Sequence, residues 1–278
     1  MNIINSIYYT PYSKLLKNGV SFSDYSKGKS YYTQMAPLFD AMNSREEFTE
    51  REVDFLIDVV EKYTETKTSS FLDIACGAGR HLRELTSRGY LGFGIDASPY
   101  LLQIAREAAP KAEFHEADMR FFKIETVVDC AYSLWDSYAY MSQVDDIDAF
   151  ANQCSAHIKQ GGILILDSKN YQRQKPEEEV VHRIFEFDGL EIDTVIRRKT
   201  YHHDKIYEAI FTSIIKDVHS GEASVVVDQT LARMYSTSGL EKLLKQHNFR
   251  LVHCYGNFDK AEYNQKTSDR MITVFKRY

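Results

Sequence analysis

The sequence predicts an α/β fold, a doubly wound and mostly parallel sheet that carries an antiparallel β insertion. Three observations support it. From residue 70 onward, short apolar runs alternate with helical stretches, the rhythm of strands joined by covering helices. After residue 170 that rhythm gives way to β-rich runs separated by turn signals. The chain has 278 residues, of which 44% are hydrophobic and 27% charged, enough for one large domain with an elaboration and a substantial core.

The elements follow in order. Residues 1–43 are rich in tyrosine, with Tyr8, Tyr9, Tyr12, Tyr25, Tyr31 and Tyr32 all within the first 32 positions. Two readings stand: an arm packed on the domain surface, or an aromatic lid in which Tyr31 and Tyr32 meet the substrate. Tyrosine suits the second because it joins a large apolar face to a polar tip. From Ser44 the pattern turns helical, with Glu47 as a capping-box partner and Phe48, Phe55, Leu56, Val59 and Tyr63 on one face. "FLDIA" (71–75), "GFGID" (92–96), "AEFHEA" (112–117), "VVDCAYSL" (127–134) and "GILILD" (162–167) read as strands of a core spanning 44–170. Helices begin near Gly79, Ser98 and Val144, and Ser98 followed by Pro99 is a strong helix start.

In the segment 171–235, "EVVHRIFEF", "EIDTVIRRKTY", "KIYEAIFTSIIKDV" and "ASVVVDQTLARMY" are separated by "DG", "HHD" and "SGE". These are hairpin signals, so about four antiparallel strands are expected. The insertion reads equally as a cover for an acceptor site or as a dimerisation surface. "HHD" at 202–204 reads as a solvated turn, because adjacent side chains on a strand point to opposite faces and chelate poorly. A helix over 238–247 and the runs "FRLVHCYG" and "DRMITVFKRY" complete the core within 236–278.

Composition narrows the function. The formal net charge is −6, which lacks the broad attraction that drives phosphate-backbone binding, so nucleic acid is disfavoured as a partner. No apolar run is long enough to span a bilayer, so no membrane partner is expected. Cys76, Cys130, Cys154 and Cys254 lie far apart without a C-x-x-C pair, and read as reduced core thiols of a soluble cytoplasmic protein with no metal site.

"FLDIACGAGRHL" (71–82) is where a ligand is expected. Gly77 and Gly79 let the chain leave the strand with bare backbone exposed. A dinucleotide loop fits only in part, since the third glycine of G-x-G-x-x-G would fall at Leu82. Asp73 lies within the first strand, Asp96 ends the second, and Asp118 follows the third. An acid at the second strand end can accept from ribose hydroxyls. Pyrophosphate needs no acid beside the glycine loop, whereas a ligand bearing an ammonium group would benefit from Asp73.

"LDIACGAGRHLRELTSRGY", "GFGIDASPYLLQIAREAA", "AEFHEADMRFF" and "VVDCAYSLWDSYAYM" resemble, in order and spacing, the successive motifs of class I S-adenosylmethionine-dependent methyltransferases of the small-molecule type. The similarity covers about residues 70–170. It implies a Rossmann-like methyltransferase fold with a seven-stranded, mostly parallel sheet. It also implies S-adenosylmethionine as cofactor, with S-adenosylhomocysteine as product. Gly77, Gly79, Ala75 and Cys76 would then let the loop approach the cofactor, and Asp73 would organise its amino-acid end. Asp96 would hold the ribose with Ala97 bordering the adenosine, and Asp118 would accept from the adenine amine with Met119 near the ring. Ser133, Leu134 and Trp135 would line the site near the sulfonium and the acceptor.

Methyl transfer from a sulfonium is an in-line displacement whose catalysis is mainly alignment and exclusion of water. Asp136 is a candidate to orient an amine or take a proton, and Tyr138 and Tyr140 to flank a cationic substrate. Capping by Asp136 and packing by the tyrosines are the competing readings. The segment lacks [DNS]-P-P-[FYW], and "LWDSYAYM" resembles that of small-molecule methyltransferases. The reading is transfer to a small-molecule acceptor, an amine nitrogen ahead of a hydroxyl oxygen. A noncatalytic cofactor-binding regulator and a nicotinamide-dependent oxidoreductase are the alternatives.

Overall fold

The computed structural model describes residues 46–173, 178–187, 189–203 and 205–278. The tyrosine-rich arm, including Tyr31 and Tyr32, and the Ser44 cap lie outside the described residues. The chain divides into two compact units, one formed by 44–175 and 232–278 and a second containing 176–231.

The first unit begins with α1 (Glu46–Tyr63). There follow β1 (Ser70–Ile74), α2 (Arg80–Ser87), β2 (Leu91–Asp96), α3 (Pro99–Ala108), β3 (Glu113–Glu116), β4 (Val128–Ser133), a 3₁₀ turn at Ser137–Tyr140, α4 (Val144–His157) and β5 (Ile158–Lys169). Its later part holds α5 (Thr237–Lys245), β10 (Phe249–Tyr255) and β11 (Arg270–Arg277). Seven strands form one sheet in the order β10-β11-β5-β4-β1-β2-β3. β1 to β5 pair in parallel, while β11 runs antiparallel to both β5 and β10. The sheet is mixed and mostly parallel, as expected.

Side chains alternate along each strand, so successive residues feed opposite cores. Phe71, Tyr132, Ile163 and Ile165 pack with Val53, Leu56 and Val60 of α1, Leu82 and Leu85 of α2, and Leu102 and Ala105 of α3. Leu72, Ala131, Leu164 and Leu166 pack with Ile147, Phe150 and Cys154 of α4 and Leu240 and Leu244 of α5. The sheet is therefore wound on both faces. α1 buries a wider face than the predicted stripe: Phe48 is 37% exposed, whereas Glu52 and Val60 are fully buried. α5 starts one residue earlier than predicted, because Ser236 caps it by accepting from the Gly239 N–H at 3.1 Å.

The second unit is a separate four-stranded sheet, β6 (Glu178–Phe187), β7 (Leu190–Tyr201), β8 (Ile206–Asp217) and β9 (Ala223–Arg233), in that spatial order. β6–β7 and β7–β8 are antiparallel. Leu190, Ile192, Thr194 and Ile196 are buried in alternation along β7, so one face of the strand is covered. His202 and His203 fall in the turn between β7 and β8 and are exposed.

Candidate active site

The loop leaving β1 turns through left-handed backbone at Ala75 (φ 64°), Gly77 (φ 55°) and Gly79 (φ 75°). Gly79 is required twice over: a Cβ there would meet the Ala105 Cβ at 3.0 Å and the Phe114 ring at 3.1 Å. At Gly77 a Cβ would meet nothing within 4 Å among the described residues, so the backbone borders open space there. Asp96 braces this loop, accepting from the Gly77 N–H through Oδ2 and the Ser98 N–H through Oδ1, both at 2.8 Å. Burial raises the Asp96 carboxyl, and those two N–H groups oppose the shift. Ala97 beside it is exposed. Cys76 is buried; burial and then the Asp73 and Asp96 charges push its thiol well up, so it stays protonated.

Asp73 is 3% exposed and pairs across the sheet with Tyr132 of β4. Its Oδ2 has no hydrogen bond among the described residues, nor has the Tyr132 hydroxyl or the Ser133 Oγ. Burial and the Asp73 charge push the Tyr132 phenol well up. Buried polar atoms without partners are rare in folded proteins, and here they fall toward the carboxyl ends of β1 and β4, Asp73 and Tyr132 as cross-strand neighbours and Ser133 one residue on. A carboxylate oxygen and hydroxyls in that state suit a cationic donor. The His81 Nδ1 lies 3.6 Å from Asp73 Oδ2, and the other ring nitrogen meets Glu52 Oε2 at 2.7 Å. Arg80 adds a contact to the same Glu52 oxygen at 2.6 Å and donates to Thr49 at 2.8 Å. Burial alone would raise the Glu52 carboxyl, but His81 and Arg80 hold it below its ordinary value.

The chain leaves β4 by a second left-handed turn, at Trp135 (φ 58°) and Asp136 (φ 68°). Tryptophan does not favour that backbone, and aspartate only tolerates it better than most residues with a Cβ. It is held from β5 and β11. Asp167 Oδ2 accepts from the Trp135 N–H at 2.8 Å, and the Asp167 carbonyl accepts from the Asp136 N–H at 3.1 Å. Arg270 grips both Asp167 oxygens, at 2.5 and 2.7 Å. The 45%-exposed Trp135 ring has the Arg270 guanidinium 4.9 Å and the Arg80 guanidinium 5.8 Å from its centroid. Leu134 is buried beside it.

The structure separates the predicted transfer residues. Asp136 is a brace: Oδ1 accepts from the Lys169 N–H at 2.5 Å and the Tyr171 hydroxyl at 3.2 Å, and its side chain does not cap the 3₁₀ turn. Tyr138 is fully buried, donates to Ser168 Oγ at 3.0 Å and lies 5.7 Å from the Tyr235 ring, so it is packing rather than a face offered to substrate. Tyr140 is 37% exposed. Asp118 is held by Arg120, which donates from Nε at 2.9 Å and Nη2 at 2.6 Å. Met119 is partly buried against the α4 core.

Glu52, His81, Arg80, Tyr132 and Arg270 were not singled out from sequence. Glu52 carried a signal: an acid at 52 interrupts the apolar stripe 48, 55, 56, 59. Arg80 and His81 sit directly after Gly79, where the glycine spacing is the one local signal. Nothing local marks Arg270, 103 positions from its partner.

Residues 71–162 match the family described as "Methyltransferase domain". The chain is 29% identical to dTDP-3-amino-3,4,6-trideoxy-alpha-D-glucopyranose N,N-dimethyltransferase of Streptomyces venezuelae over 42% of this chain and 48% of that protein. It is 28% identical to dTDP-3-amino-3,6-dideoxy-alpha-D-glucopyranose N,N-dimethyltransferase of Streptomyces fradiae over 49% of this chain and 54% of that protein. The matched stretches thus span about half the length of these curated relatives. In fold, the chain is similar to the sugar N-methyltransferase KedS8 from Streptoalloteichus, with TM-score 0.74, 18% identity, and coverage of 100% of this chain and 99% of that one. Residues 71–162 thus match a methyltransferase domain, and the order of the motifs within that stretch and the order of the sheet agree with the match.

Proposed function

We propose that the protein transfers a methyl group from S-adenosylmethionine to the amine nitrogen of a small molecule, releasing S-adenosylhomocysteine. The acceptor class we favour is an amino sugar carried on a nucleotide, the class named for the relatives from Streptomyces. One observation supports the reading most: the buried Asp73 carboxylate oxygen, without a hydrogen bond among the described residues, beside a glycine loop that borders open space among those residues.

The residues present fit such a cofactor. When bound, it supplies a methyl group on a sulfonium, the electrophile for an in-line displacement. Asp73 would take its ammonium, and the backbone of Ala75, Cys76, Gly77 and Gly79 would border it. Asp96 would accept from the ribose hydroxyls while keeping its grip on Gly77 and Ser98, and Ala97 would border the adenosine. Asp118, already clamped by Arg120, would meet the adenine amine, with Met119 near the ring. Ser133, Leu134 and Trp135 would line the side toward the acceptor, and Tyr140 would flank it.

An amine nitrogen brings its own lone pair, so this chemistry needs alignment more than a base. That agrees with the bonds that tie up Asp136 and Tyr138. We place the enzyme in the cytoplasm, in keeping with its free cysteines.

Calorimetric titration with S-adenosylmethionine, S-adenosylhomocysteine and NAD in parallel tests the cofactor, and labelled-methyl transfer to amine and hydroxyl panels tests the acceptor. Binding of the two sulfur compounds and labelling of amines are expected. Binding of NAD alone would sink the reading, and binding without transfer to any acceptor would turn it toward a regulatory protein. Asp96→Ala is expected to lose roughly 1–3 kcal/mol of cofactor affinity through the missing ribose acceptor.

A further inference from the structure

We infer that His81 is a second acceptor for the cofactor's α-ammonium, working as a pair with Asp73, and that Glu52 of α1 is the positioning residue that sets its tautomer. The inference rests on the cofactor reading above and goes beyond it in assigning the amino-acid end to a helix outside the glycine-loop motif.

The geometry is specific. Glu52 is fully buried and its Oε2 meets His81 Nε2 at 2.7 Å. A carboxylate oxygen can only accept there, so the hydrogen sits on Nε2. In the neutral ring Nδ1 is then a bare acceptor, and it makes no hydrogen bond among the described residues. It stands 3.6 Å from Asp73 Oδ2, too far for a hydrogen bond between the two. Two acceptors at that separation can both be reached by a single –NH₃⁺ at ordinary N–H···O and N–H···N distances. Each side chain is more than nine-tenths buried, with Asp73 3% and His81 5% exposed. The ring is also held edge-on to Tyr132, with centroids 6.0 Å apart. Arg80 shares the Glu52 oxygen, so it stabilises the carboxylate that orients the imidazole.

The test compares S-adenosylhomocysteine with 5′-methylthioadenosine, which keeps the nucleoside and thioether but lacks the amino-acid end. His81→Phe is expected to weaken S-adenosylhomocysteine about tenfold and to leave methylthioadenosine within about twofold. Glu52→Gln, which keeps the volume, should show the same selectivity at smaller amplitude. Equal losses for both ligands, or no loss for S-adenosylhomocysteine, would overturn the assignment. Nitrogen-15 NMR of the wild-type imidazole makes the test independent of how the variants fold. The expected result is hydrogen on Nε2 in the free protein and an Nδ1 shift that moves with S-adenosylhomocysteine but not with methylthioadenosine. A hydrogen on Nδ1 with Nε2 bare, or an Nδ1 resonance indifferent to S-adenosylhomocysteine, would overturn it. A wild-type protein that binds neither compound would instead overturn the cofactor reading, and this inference with it.

Discussion

The loops leaving β1 and β4 solve the same problem in opposite ways. Both turn through left-handed backbone at the carboxyl ends of strands. After β1 two of the three left-handed positions are glycines, which adopt that conformation at no steric cost. After β4 they are Trp135 and Asp136, which do not, so the turn is imposed by Asp167 and Arg270 from other strands. The first loop takes its conformation mainly from its glycines, with Asp96 as a brace, and the second takes it from other strands. A glycine-built loop leaves the space in front of Gly77 open among the described residues, while a borrowed one can carry a large aromatic side chain, 45% exposed.

The largest effect should come from removing the lender. Arg270→Ala leaves the Asp167 carboxylate, 0% exposed, without its ion-pair partner, and is expected to cost about 3–5 kcal/mol in denaturant unfolding. A loss under about 1 kcal/mol would show that the turn after β4 holds itself. In the first loop, Gly79→Ala combines a left-handed residue with a Cβ at 3.0 Å from Ala105, and should cost about 2–3 kcal/mol. If the cost equals that of a simple helix substitution, the glycine is not what shapes the loop.

The smallest effect concerns the other end of the same two strands, where Asp129 of β4 accepts from the Ser69 and Ser70 N–H groups at 2.8 and 2.9 Å and pairs with Lys159. Burial would raise this carboxyl, but Lys159 and the two serines hold it at about 2. A depressed carboxyl stabilises the fold above its unfolded value and loses that contribution as pH falls through its folded one. Wild-type stability should therefore decline between pH 3.8 and about 2 more steeply than that of Asp129→Asn. Identical acid limbs in the two proteins would remove Asp129 from the account.

The two loops also differ in how far the sequence reveals them. The β1 loop is legible because glycine spacing and strand periodicity are local signals: Gly77, Gly79 and Asp96 fall where the pattern expects, and Asp96 meets the loop it follows. The β4 loop is legible only in part. "SLWDSYAYM" leaves open whether Asp136 orients an acceptor or caps a turn and whether Tyr138 flanks substrate or packs, and the structure ties Asp136 to Lys169 and Tyr171 and Tyr138 to Ser168. Their partners lie 30 to 35 positions away, and a hydrogen bond across that distance leaves no mark in the segment itself.

The sequence by itself determined the strand and helix order, the glycine turn after β1 and the acids at the ends of the first strands, because periodicity and backbone conformation are dictated by neighbouring residues. Only the tertiary structure decided which charges meet. Sheet order sets β11 beside β5 and so brings Arg270 to Asp167, 103 positions away. The packing of α1 on α2 likewise brings Glu52 to His81, 29 positions on. Buried charges must find partners wherever the fold has put them, and the fold, rather than the distance along the chain, decides which ones are within reach.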